Sequence, residues 1–105
     1  MWTIARDTAE WPEAYVWESI DYLAMFLFST EEVAEQMTQR LHLKGYHPLG
    51  IPNIEEVAEL IESLAQEGIG FVATNPGKEG PIVIPIKDVI KQLQAIRELE
   101  SAITI

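Results

Sequence analysis

His42 and His47 are the only imidazoles in the chain, and they flank a Lys44-Gly45 turn. A metal centre built on them needs a third and a fourth donor. With no cysteine in the sequence, those donors have to be carboxylates carried in from elsewhere. No acid stands nearby to orient either ring, so the pair reads as two half-exposed side chains beside a helix end, and no metal is expected. Glu55, Glu59 and Glu62 form a carboxylate row at helical spacing. Acid–base catalysis needs one carboxyl shifted by burial, whereas this row lies opposite an apolar stripe and stays ionised. Its mutual repulsion costs a few tenths of a kcal/mol per pair, a cost that a docked basic partner relieves. Gly77, Lys78 and Gly80 lack the spacing of a phosphate loop and precede a strand instead of opening a helix. Ser19, Ser29, Ser63 and Ser101 lack the flanking glycines of a nucleophile elbow. No catalytic residue and no cofactor is expected.

The aromatic residues carry more. Trp2, Trp11, Tyr15, Trp17 and Tyr22 all fall within the first 22 positions, and tryptophan and tyrosine are the types that most often anchor interfaces. A small domain also needs large side chains to fill its interior, so most of these rings are expected in the core. Trp11, beside a proline and between Glu10 and Glu13, is the one expected to be exposed. The candidate interaction residues are Trp11, Tyr15 and Trp17, together with Ile103 and Ile105 of an apolar tail at residues 102–105. Glu55, Glu59 and Glu62 are the candidate face for a basic partner.

The elements that must position these residues begin with a strand over residues 1–5 and a turn at Arg6-Asp7-Thr8. Trp11-Pro12 breaks any helix near Ala9, because the residue before proline is pushed toward extended conformations. Residues 14–18 set Tyr15 and Trp17 against Ala14, Val16 and Glu18, as a strand with an aromatic face does. Residues 22–28 are apolar on both faces and form the expected central strand. A helix over 13–28 is the competing reading. Ser29 and Thr30, with Glu32 three residues after Ser29, mark a helix start; Val33, Ala34, Met37 and Leu41 supply its stripe and Gly45 its end. Residues 46–51 read as a strand that Pro48 confines to an edge or an early position. Asn53 and Glu56 open a second helix with Ile54, Val57, Ala58, Ile61, Leu64 and Ala65 on one face, and Gly68 closes it. Residues 69–74 and 82–84 form a hairpin around a turn punctuated by Asn75-Pro76-Gly77 and Gly80-Pro81. The last helix starts after Pro85, uses Ile86, Val89, Ile90, Leu93 and Ile96, and runs to about Glu100. The short echo between Ile51-Pro52 and Ile84-Pro85, each ahead of a helix, reports shared strand-to-helix chemistry and not a duplication.

This order, β-β-β-α-β-α-β-β-α, predicts a single α+β domain over residues 1–105: a mixed sheet of about five to six strands covered by three helices, with a second sheet face either solvated or used. A chain of 105 residues buries roughly two-thirds of its unfolded surface and needs no disulfide or metal to do so. The absence of cysteine fits a reducing compartment. The opening MWTIARD shows no basic leader ahead of an apolar core, and the longest apolar run, 23–28, is far short of the roughly 20 residues of a membrane span. A soluble cytoplasmic protein without membrane association is the expectation. Seven basic against 17 acidic residues give a net charge of −10, which opposes nucleic-acid backbones and anionic membranes. Eight acids and no base lie between Asp7 and Gln39, so a charged partner should be basic.

From Phe26 to Leu93 the run FLFSTEEVAEQM … GYHPLGIPNIEEVAELIESLAQEGIGFVATNPGKEGPIVIPIKDVIKQL resembles the N-terminal domain of the SseB family, named for enhanced serine sensitivity, and a related group of uncharacterised small bacterial proteins. The shared features are an aromatic strand ending in a Ser/Thr cap, a middle helix, the Gly-Ile-Gly-Phe strand, the Asn-Pro-Gly turn and a helix entered through Ile-Pro. The resemblance covers about two-thirds of the chain. It implies a fold and a bacterial setting, and no defined activity comes with it. The functional expectation is a non-enzymatic protein–protein interaction or adaptor module, with a protein partner or a second copy as homodimer. The alternatives are a small-molecule-binding regulatory protein with a pocket between the sheet and the 11–17 segment, and an acidic nucleic-acid mimic.

Overall fold

The computed structural model describes the backbone of residues 1–77 and 80–103, and the side chains of residues 1–74, 82–96, 98 and 99. Along it run β1 (Trp2–Arg6), β2 (Glu13–Ala14), β3 (Val16–Glu18), β4 (Leu23–Phe26), α1 (Glu31–Arg40), β5 (His47–Gly50), α2 (Ile54–Gln66), β6 (Phe71–Gly77), β7 (Gly80–Pro85) and α3 (Ile86–Ile103). The fold is α+β, in the expected order except for one further strand ahead of α1. The single sheet of five to six strands is corrected: seven strands form a three-stranded sheet, order β2-β1-β5, and a four-stranded sheet, order β3-β4-β6-β7.

The extra strand arises because residues 13–18 serve both sheets. Glu13 and Ala14 pair with β1, the Tyr15 amide donates to the Ile4 carbonyl at 2.8 Å, and Val16 to Glu18 turn onto β4. The sheets meet a second time where Trp2 and Phe28 exchange backbone hydrogen bonds of 2.8 and 2.7 Å. The helical reading of residues 13–28 is thereby excluded. β4 is internal, as expected, and pairs in parallel with β6. Parallel neighbours need a long crossover, here α1, β5 and α2. β5 is an edge strand carrying Pro48, and it lays Gly50 opposite Trp2, where a Cβ would meet the indole at 3.3 Å.

Alternation sorts the side chains into two layers. Met25, Leu27 and Val72 face α2 and α3, packing on Val57, Ala58, Ile61, Leu64, Ile86 and Leu93. Ala24, Phe26, Phe28 and Ala73 point the other way, with Ile4 and with Ala34 and Met37 of α1. The stripes on α1 and α2 are buried where the spacing puts them.

Several boundaries move. The α1 cap is Thr30, whose hydroxyl accepts from the Val33 amide at 3.2 Å. That helix ends at Arg40 and not at Gly45, because His42 adopts the left-handed conformation (φ 54°) while the amides of His42 and Leu43 bond back to Gln39 and Thr38. Asn75-Pro76-Gly77 lie within β6, with a register shift between Thr74 and Pro76, and Gly80-Pro81 open β7; residues 78 and 79 lie outside the described residues. α3 runs through residues 102 and 103, so these do not form a free tail; Ile105 lies outside the described residues. α3 has 18 residues and is about 27 Å long; among its described side chains Leu93 is the last buried one, and Ile96 and Leu99 are exposed.

Candidate functional site

The four-stranded sheet carries an aromatic array on the face turned away from α2 and α3. Period-two alternation brings Tyr15 and Trp17 to the same side, and pairing sets Trp17 against Ala24 and Ala24 against Phe71. The alanines leave room, and the rings fill it. Phe26 stacks on Trp17 (centroids 5.8 Å, planes 14° apart) and on Tyr15 (6.0 Å, 5°). Tyr22 meets Trp17 edge-on at 6.0 Å and Phe71 at 5.1 Å, and Tyr46 closes on Tyr15 at 5.2 Å. Such ring pairs add about 0.5–1.5 kcal/mol each beyond their burial. Phe26 is buried, while Tyr15, Trp17, Tyr22, Tyr46 and Phe71 are half-buried. α1 packs on β1 and β5 and reaches this layer through Ala34 and Met37. Farther along, the edges of Trp17, Tyr22 and Phe71 stay open to solvent.

Burial, the neighbouring Tyr46 and the Glu18 carboxylate, in that order, push the Tyr15 phenol up, so it stays protonated at neutral pH and offers an O–H donor. Arg6 lies over the Tyr46 ring at 5.8 Å and pairs with Glu13 at 3.2 Å on the rim.

On the opposite side of the sheet, a cleft of about 440 Å³ opens between the Trp11 segment and the C-terminal half of α2. The Thr8 hydroxyl positions that segment by donating to the Trp11 carbonyl, while the Trp11 amide donates back to Thr8 Oγ1 at 3.3 Å. Pro12 then holds the chain extended. Trp11 is 70% exposed.

The structure thus joins Tyr15 and Trp17 in one array and places Trp11 elsewhere, at the cleft. Glu55, Glu59 and Glu62 lie exposed on α2, opposite its buried stripe. Ile103 is the last residue of α3, and its side chain lies outside the described set, as does the whole of Ile105. His47 turns to Asp7, and His42 lines a separate hollow with Glu35 and Tyr46. Among the described residues no group of three or more His, Asp or Glu stands ready to hold a metal, and no helix is long and apolar enough to cross a membrane. Phe71 and Tyr46 went unmarked as site residues, because only the β4–β6 register and the return of β5 bring them to the array. Leu60, Ser63 and Glu67 went unmarked at the cleft, although Leu60 bordering the α2 stripe was a signal.

No family model matches the chain, and no curated protein matches it.

Proposed function

We propose that this chain is a non-enzymatic interaction module that docks on a second copy of itself through the aromatic face of its four-stranded sheet. One observation carries the reading: the half-buried rings of Trp17, Tyr22 and Phe71 lie together in one apolar layer, while α2, with its acidic row turned to solvent, packs on the other side of the same sheet. Two copies can bring their apolar faces together and keep their acidic helices outward, which limits the repulsion that a charge of −10 imposes. Rigid aromatic rings lose little conformational entropy on docking, and their polar tips satisfy a partly wet rim. The resemblance to the SseB N-terminal domain belongs to this proposal and assigns the chain no reaction.

Light scattering coupled to size-exclusion chromatography tests it. The expected mass is twice the 11.9 kDa of the chain, retained at high salt, and Tyr22→Glu should return it to monomer with an unchanged circular dichroism spectrum. A wild-type chain that stays monomeric from micromolar to millimolar concentration overturns the reading.

A further inference from the structure

We infer that the cleft between the Trp11 segment and α2 is a binding site for a small organic cation, an ammonium group carried on an apolar body. Its volume of about 440 Å³ falls within the range of small-molecule sites, which pair apolar walls with a few polar groups. The lining here is mixed, and its apolar side chains are Trp11, Pro12, Ala14, Val16, Leu60 and Leu64. The polar groups are Glu13, Ser63 and Glu67, and among the described residues no basic side chain lines the cleft.

Three features favour positive charge in the cleft. Glu67 contributes a carboxylate that makes no ion pair among the described residues, whereas Glu13 already shares its carboxylate with Arg6 at 3.2 and 3.3 Å. Glu67 also caps the C-terminus of α2, and the last turn of that helix has no basic residue to balance its negative pole. The exposed Trp11 indole, held by the Thr8 turn, supplies a π face of the kind that attracts ammonium groups. An anion meets repulsion from both glutamates, and a neutral ligand gains from the walls alone. The cleft lies on the helical side of the sheet, away from the aromatic array, so it remains open in a chain paired through that array.

The test titrates the full chain with phenethylamine, with its neutral counterpart phenethyl alcohol and with phenylacetate, at neutral pH and low salt, followed by NMR amide shifts. Phenethylammonium should bind saturably, with shifts confined to residues 11–16 and 60–67, and about two- to fivefold tighter than the alcohol, as expected for one exposed charge pair. Glu67→Gln, a change at an exposed position, should reduce that preference for the amine while leaving the alcohol unaffected. Trp11→Ala should weaken both. Equal affinity for amine and alcohol, shifts outside the cleft, no saturable binding of the amine, or an unaltered preference in Glu67→Gln would each overturn the assignment.

Discussion

His47 sits between two acceptors. Its Nδ1 is 2.9 Å from the Pro48 carbonyl and its Nε2 is 3.3 Å from Asp7 Oδ1. Only the doubly protonated ring donates to both. The Pro48 carbonyl, and then Asp7, raise the imidazole pKa against a smaller opposing effect of burial. A folded pKa above the unfolded value of about 6.5 stabilises the protein below that value, and the contribution is lost as pH rises through the folded pKa. Melting temperature should therefore fall from acid toward neutral pH across this window, and His47→Gln should flatten that slope; a slope unchanged in the variant would exclude His47 as its source. Thr3 raises a different problem at the same scale. It is fully buried, and its hydroxyl has no hydrogen-bond partner among the described residues. Thr3→Val removes the stranded hydroxyl and should stabilise the fold by about 1 kcal/mol in chemical denaturation.

α1 and α2 end in the same way with different residues. In each, three amides beyond the last turn bond back to carbonyls inside the helix, and one residue takes the left-handed conformation: His42 after α1 and Gly68 after α2. Glycine adopts that conformation freely, while a residue with a Cβ is strained there by about 1 kcal/mol. His42→Gly should stabilise the protein by about that amount. Gly68→Ala should destabilise it equally, since a Cβ at Gly68 meets nothing within 4 Å and the cost is conformational. Equilibrium unfolding of the two variants should shift in opposite directions. The Asn53 cap, bonding the Glu56 amide at 2.9 Å, and Gly68 were legible because each acts within one turn of its own position. The end of α1 was misplaced because Gly45 carries the stronger glycine signal (φ 80°) three residues beyond the true left-handed position.

At the scale of the molecule, charge and shape are both uneven. The chain measures 47 × 31 × 27 Å with a radius of gyration of 14.1 Å, above the roughly 13 Å expected for a compact domain of this length. An elongated body with a charge of −10 carries like charge spread over helices that meet solvent. Self-repulsion of this kind weakens the folded state and is screened over about 10 Å at moderate salt. Raising sodium chloride from a few millimolar to physiological strength should therefore lift the melting temperature by several degrees; a flat response would show that local pairs such as Arg6–Glu13 already offset the excess.

Local patterns determined the helices, their buried stripes, the central place of residues 23–26, the edge place of β5 and the exposure of Trp11. Each depends on neighbours within a turn or on alternation along one strand. Tertiary structure alone decided that residues 13–18 divide between two sheets, that Phe71 and Tyr46 join Tyr15 and Trp17, and that Glu67 faces Trp11 across a cleft. Those outcomes depend on pairing between segments as far apart as β1 and β5 or β4 and β6. Register between distant strands is selected by how well the finished layers pack, a free energy that no local stretch of sequence contains.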